Sequence, residues 1–109
     1  MLDKVTHLND LYDIYGQLLT QKQQHIFQMY YQDDLSLGEI AEQVNTSRQA
    51  VYDNLKRVAN ILESYETKLN LYKKDKDLSK ILDRLEESIG SKNIEKSKEL
   101  ITLLKQNLG

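Results

Sequence analysis

The sequence predicts an all-α protein, and three observations support that prediction. Proline is absent and glycine occurs only four times, so the backbone has few residues that interrupt helices. Apolar residues recur at steps of three and four along most of the chain, as on the buried side of a helix. A chain of 109 residues is long enough for one compact domain with a modest core, to which an appendage can be attached.

Two helices are predicted at the start of the chain. The first covers about residues 4–18, and the second covers about 21–32 after a capping box formed by Thr20 and Gln23,. The apolar stripe of the first consists of Val5, Leu8, Tyr12, Tyr15 and Leu19. The apolar side of the second consists of Ile26, Phe27, Tyr30 and Tyr31.

The stretch "SLGEIAEQVNTSRQAVYDNLKR", residues 36–57, predicts a helix-turn-helix. A second capping box, Ser36 with Glu39, opens a short helix that runs to about Gln43. The turn follows at Val44 and Asn45, and either Thr46 or Ser47 can cap the next helix. The inward apolar residues, among them Leu37, Ile40, Ala41, Val51 and Leu55, fit a tri-helical core like that of winged-helix domains.

A long fourth helix is predicted after the turn, because one apolar stripe continues from Val51 to Tyr72 in heptad steps of four and three,. Its far half extends beyond a small core and must cover another protomer, the C-terminal segment or a partner protein. The candidate dimer or partner seam consists of Val58, Leu62, Tyr65, Leu69 and Tyr72.

The C-terminal part is predicted to be a helical hairpin. The charged stretch "KKDKD" at 73–77 is interpreted as a hinge or helix end, which divides a core at 1–72 from a charged hairpin at 73–109,. Gly90 is expected to end the first hairpin helix, and Ser91 to open the second. Neither helix is long enough to be stable alone in water, so we expect the hairpin to dock on its own core or on a partner.

The second helix of the helix-turn-helix presents the candidate nucleic-acid-binding residues, which are Ser47, Arg48, Gln49, Tyr52, Lys56 and Arg57. Arg48 suits bidentate contacts to guanine, Gln49 suits adenine, and Lys56 and Arg57 can approach phosphates. Asp53 lies on the same side and opposes a polyanion. Residues 36–57 hold three basic and three acidic side chains, so phosphate attraction is weak.

The overall charge does not favour a dedicated nucleic-acid binder, which is usually basic. The chain has 15 basic and 17 acidic residues, a formal net charge of −2. Residues 1–72 hold 6 basic and 10 acidic residues (net −4), whereas residues 73–109 hold 9 and 7 (net +2). The basic end is therefore not the helix-turn-helix end.

Several classes of function find little support in the sequence. His7 and His25 are the two histidines, and no glycine-rich phosphate loop, nucleophile elbow or HExxH pattern accompanies them,. We therefore expect neither an enzyme nor a metal or cofactor site. With no cysteine and no long apolar segment, we expect a cytoplasmic protein that does not insert into membranes. The seven tyrosines could stack on nucleic-acid bases. We expect instead that most of them pack in the core.

The segments "LLTQKQ", "DDLSLGEIAEQ", "SRQAVYDNLKR" and "YETKL" resemble the YlxM family, small bacterial helix-turn-helix proteins associated with the signal recognition particle. The resemblance covers roughly residues 8–72 and no recognisable part of the tail. The same stretch is more distantly similar to region 4 of bacterial sigma factors, where a comparable helix contacts promoter DNA. Membership implies a gene beside that of the particle's GTPase and a regulatory role in protein targeting.

Three functions stay open on the sequence alone. The first is an adaptor or regulator that binds the protein or RNA of the signal recognition particle. In that case Lys73, Lys74, Lys76, Lys80 and Arg84 of the tail could contact RNA phosphates, unless they form only a solvated face. The second is a DNA-binding regulator that reads its site through the helix-turn-helix. The third is a helical interaction module that forms a homodimer through the seam.

Overall fold

A computed structural model describes the backbone of residues 2–108 and the side chains of residues 4–108. The described residues contain helices and no strand, so the all-α prediction is confirmed and there is no wing in this part of the chain. The helical elements are α1 (Leu2–Tyr15), a 3-10 turn (Gly16–Leu18), α2 (Gln21–Tyr31), α3 (Leu37–Gln43), α4 (Arg48–Leu69), α5 (Leu71–Gly90) and α6 (Ile94–Leu108). The chain divides into two compact units, Met1–Leu69 and Asn70–Gly109.

Two capping boxes fix where α2 and α3 begin, as predicted. The Thr20 hydroxyl accepts from the Gln23 backbone N–H at 3.1 Å, and the Gln23 side chain accepts from the Thr20 N–H at 2.9 Å. Ser36 and Glu39 form the same pair of bonds, at 3.1 and 3.0 Å. Each box satisfies two amides that have no partner inside the helix.

The core of the first unit is formed by α1, α2 and α4, with α3 packed against α4. Its largest fully buried side chains are Tyr15, Phe27, Leu11, Ile26, Ile40, Leu62, Val51 and Val58. The Tyr12 ring stacks on Phe27 with centroids 4.3 Å apart. The Tyr15 hydroxyl donates to Glu66 at 2.6 Å, so this buried tyrosine keeps a partner for its polar end, as a buried phenol requires.

The apolar stripe of α1 differs from the predicted one at two positions. Val5 is 39% exposed, whereas Leu11, which the predicted stripe omits, is fully buried. Leu8, Leu11 and Tyr15 are buried at steps of three and four and so lie on one face of the helix,. The spacing indicated a stripe, but the packing against α4 decided which residues lie on it.

The helix-turn-helix prediction is confirmed in its details. A buried cluster joins Ile40 and Ala41 of α3 to Val51 and Leu55 of α4, and residues of α2 complete it. Asn45 turns the chain in the left-handed region, with φ of 57°. Of the two candidate caps, Thr46 and Ser47, it is Ser47 that caps α4, because its hydroxyl accepts from the Ala50 N–H at 3.1 Å.

The long helix α4 ends at Leu69, so the prediction of one continuous stripe to Tyr72 is wrong. Asn70 adopts a left-handed conformation, with φ of 58° and ψ of 27°. A right-handed helix cannot continue through such a residue, and asparagine tolerates the conformation better than most residues. Tyr72 therefore belongs to α5. The stretch 73–77 lies inside α5, so its interpretation as a hinge or helix end is also wrong.

The candidate seam is only partly accessible. Val58 and Leu62 have no exposed surface and cannot contact a partner in this conformation. The Tyr65 ring lies 5.8 Å from the Tyr15 ring, within the first unit. Leu69 is 48% exposed. The homodimer stays a prediction, and Val58 and Leu62 are not part of its surface.

The second unit is the predicted helical hairpin of α5 and α6. Ile81 and Leu100 are buried, and the Ser88 and Ser97 hydroxyls lie 2.7 Å apart. Ser91 does not open α6. Asn93 caps it instead, because its side-chain oxygen accepts from the Lys96 N–H at 3.0 Å. Gly90 is the last residue of α5, close to its predicted role at the helix end.

Candidate nucleic-acid interface

All six candidate nucleic-acid-binding residues are exposed and belong to α4 or its cap. Ser47 is occupied as the helix cap. Arg48 and Gln49 are in the first turn of α4, Tyr52 follows one turn later, and Lys56 and Arg57 lie another turn along. The scaffold therefore places the predicted base readers at the amino-terminal end of the second helix, as in helix-turn-helix proteins that enter the major groove.

The Arg48 side chain lies across the start of α3. A methyl group added to Gly38 would lie 3.0 Å from Nε of Arg48 and 3.3 Å from its Nη2. Gly38 therefore leaves the space that the guanidinium group occupies. Glu39 and Glu42 line the same groove as Arg48, so two carboxylates share this groove with the first basic residue of the helix.

Gln49 is engaged within its own helix. Its amide Nε2 donates to Oδ1 of Asp53 at 3.0 Å, one turn along α4. This bond orients the amide and takes up one of its donors. To contact adenine with both its donor and its acceptor, Gln49 must use its second N–H or release Asp53.

The basic residues of α4 do not form one strip. At about 3.6 residues per turn, Arg48 and Arg57 are roughly half a turn apart around the helix axis. Asp53 lies between them, on the side opposite the buried residues. Lys56 lies on the Arg48 side of Asp53, so the carboxylate separates Arg57 from Arg48 and Lys56 around the helix.

Glu39 contributes a carboxylate to this surface. The backbone N–H and the hydroxyl of Ser36 hold the pKa of Glu39 below its ordinary value, because they hydrogen-bond its ionised form,. Residues 36–57 hold three acidic and three basic side chains. The surface is polar and close to neutral in net charge.

A second groove of about 340 Å³ lies between α1, α2 and α4, and it includes two of the predicted residues. Tyr52 and Lys56 enter it from α4, Tyr30 from α2 and Lys4 from α1. Tyr52 is 50% exposed and Tyr30 is 37% exposed. The sequence predicts Tyr30 on an apolar stripe, and no local pattern marks Lys4, because only tertiary packing brings their helices beside α4.

Part of this groove is polar. Asn60 and Glu63 line it on α4, and Glu63 Oε1 lies 2.7 Å from Nε2 of His7 on α1. Tyr31 lies behind Tyr30, edge to face with ring centroids 4.9 Å apart. Burial, with a smaller effect from Tyr30, raises the pKa of the Tyr31 phenol, so it is neutral at physiological pH.

The sequence model of a helix-turn-helix family, UPF0122, described as YlxM / p13 like, matches residues 2–102. The chain belongs to this family. The resemblance to YlxM proteins is therefore confirmed. The match also extends well into the tail, where the sequence showed no recognisable family pattern. Most of the sequence of the helical hairpin therefore matches the family model.

Individual members of UPF0122 are similar over most of their length. The UPF0122 protein of Halalkalibacterium halodurans is 50% identical over 104 residues, which cover 95% of this chain and 94% of that protein. The protein of Oceanobacillus iheyensis is 55% identical over 85 residues, which cover 78% of this chain and 81% of that protein. The protein of Bacillus thuringiensis is 52% identical over 89 residues, which cover 82% of this chain and 81% of that protein.

Among the described residues, no group of three or more histidine, cysteine, aspartate or glutamate side chains is arranged to hold a metal ion. No helix in residues 2–108 combines the length and apolarity needed to span a bilayer.

Proposed function

We propose that this UPF0122 protein is a DNA-binding regulatory protein that reads duplex DNA through the first half of α4. The observation that carries the proposal is the exposure of Arg48, Gln49, Tyr52, Lys56 and Arg57 on the second helix of a helix-turn-helix. Helix-turn-helix proteins insert this helix into the major groove with its amino-terminal residues at the base edges.

The residues divide into base readers and phosphate contacts. Arg48 can donate two hydrogen bonds to guanine, and Gln49 can pair with adenine. Lys56 and Arg57 lie farther along the helix and suit phosphates. Asp53 can accept from the amino group of cytosine, and it repels phosphates elsewhere. We therefore expect base contacts to carry more of the affinity than in a strongly basic protein, with a shallow dependence on salt.

The proposal is tested by selection from a random duplex library, followed by gel shifts on the enriched sequence at several salt concentrations. Arg48→Glu is expected to abolish the shift, because it removes a base reader and adds a negative charge. Arg84→Glu is the matched control, since it makes the same charge change on α5, outside the helix-turn-helix. Failure to enrich any sequence, or equal loss in both variants, would refute the proposal.

A second candidate is an adaptor of the signal recognition particle, the pathway that the YlxM resemblance implies. The balance of charges between residues 36 and 57 favours it, because a surface close to neutral attracts a polyanion weakly and is compatible with a protein partner. Co-sedimentation with reconstituted particle, with and without its RNA, tests this function. No co-sedimentation at micromolar concentrations in low salt would exclude it.

A further inference from the structure

The groove between α1, α2 and α4 combines exposed aromatic rings with basic side chains. Tyr30 and Tyr52 line it from different helices, and both are more exposed than a tyrosine that only fills a core. Its floor includes Leu8 and Leu55, which are buried. An accessible cleft with apolar walls and a few polar groups is the usual form of a small-ligand site.

The charged groups of the groove favour an anionic ligand. Lys4 and Lys56 both line it, and Glu63 is its one carboxylate among the lining residues. Glu63 also pairs with His7 at 2.7 Å, which offsets its charge when His7 is protonated. This balance contrasts with the groove beside Arg48, where Glu39 and Glu42 line the wall.

The size and the polar groups of the groove restrict the class of anionic ligand that it fits. A volume of about 340 Å³ is at the small end of ligand sites, which suits one nucleotide rather than a folded partner. Tyrosine faces stack on any base. The Asn60 amide has both a donor and an acceptor for the edge of a base, and the two lysines suit a phosphate.

We propose that this groove binds one unpaired nucleotide of a single-stranded nucleic acid, with its base against Tyr30 or Tyr52 and its phosphate near Lys4 and Lys56. The groove shares Tyr52 and Lys56 with the proposed duplex-reading surface. Arg48 and Gln49, the proposed base readers, do not line it. A strand that is unpaired beside α4 can therefore occupy a site that a duplex does not fill.

Fluorescence anisotropy with labelled hexanucleotides of adenosine and cytidine, in RNA and DNA forms, tests the proposal on the full chain. Tyr30→Leu keeps the bulk of the side chain and removes the stacking face. We expect it to weaken binding on the order of tenfold, the usual effect of losing one base–aromatic stack. Tyr72→Leu, outside the groove, is the matched control. Lys4→Gln is expected to weaken binding and reduce its salt dependence, with Lys22→Gln as its control.

Ring-proton shifts of Tyr30 and Tyr52 on adding the hexanucleotides to the unaltered chain give a readout that does not depend on variant folding. Tighter binding of the RNA or of the DNA hexanucleotides identifies which of the two nucleic acids the groove binds. The proposal is overturned if no hexanucleotide binds at micromolar concentrations. It is also overturned if Tyr30→Leu binds as tightly as the unaltered chain and the ring protons of Tyr30 and Tyr52 in the unaltered chain do not shift. Displacement by an acidic peptide but not by an unlabelled hexanucleotide would also overturn it. Arg48→Glu should spare hexanucleotide binding while abolishing duplex binding, so the two proposals can fail separately.

Discussion

Replacing Gly38 by alanine is expected to raise stability while weakening duplex binding. The added methyl group would lie 3.0 Å from Nε of Arg48, which is closer than an ordinary contact, so the guanidinium group must move. That group is the exposed end of a flexible side chain, and its displacement costs the fold little. Alanine in place of glycine within a helix stabilises by about 0.5–1 kcal/mol, and we expect the lower half of that range in the first turn of α3.

Binding should change in the opposite direction. The absence of a side chain at Gly38 leaves space in which the Arg48 side chain lies against α3. In Gly38→Ala this space is filled, and the Arg48 side chain is more mobile in the free protein. Ordering one such side chain costs about 0.5–1.5 kcal/mol, which corresponds to binding weaker by about twofold to twelvefold. The assays are thermal unfolding followed by circular dichroism and gel shifts on the selected duplex.

Gly90→Ala provides the matched control. Apart from the adjoining backbone and the neighbouring residues, no atom lies within 4 Å of a methyl group at that position, and Gly90 ends α5 in the second unit. This variant should leave duplex binding unchanged. Unchanged or tighter duplex binding in Gly38→Ala would refute the role of Gly38 in placing Arg48, and lower stability would refute the expectation that the guanidinium group moves at little cost.

Three further changes test other parts of the first unit. Gly16→Ala should destabilise by about 1–3 kcal/mol in urea unfolding, because its methyl group would lie 3.0 Å from the packed Tyr12 ring; an unchanged midpoint would contradict this. The lowered pKa of Glu39 means that its carboxylate stabilises the fold above its ordinary pKa of 4.5 and loses that effect as the pH falls through the folded-state value. Glu39→Gln should therefore be less stable than the parent near pH 7, with the difference narrowing below pH 4.5; a gap that is constant with pH would count against the Ser36 bonds as its cause. Asp53→Asn should tighten non-specific duplex binding at least about twofold in low salt, since one charge contributes ~0.4 kcal/mol per phosphate at about 10 Å in water; weaker binding in filter assays would show that Asp53 accepts from a base.

Local signals in the sequence determined the boundaries of α2 and α3 and the start of α4. The capping boxes at Thr20 and Ser36 use residues three positions apart, so they could be read without knowing the fold. The turn at Asn45 and the buried residues Ile40 and Val51 followed from the same local pattern. The family resemblance also depended on local motifs, and it was correct.

Tertiary structure decided the break at Asn70 and the composition of the grooves. The heptad pattern continues from Leu69 to Tyr72, because apolar spacing carries no record of one residue in the left-handed region. Tyr30 and Lys4 line the same groove as Tyr52 only because their helices pack together. The sequence alone therefore determined the helix-turn-helix scaffold, whereas the surroundings of Arg48 and Tyr52 depend on contacts between residues far apart in the chain, which no local pattern encodes.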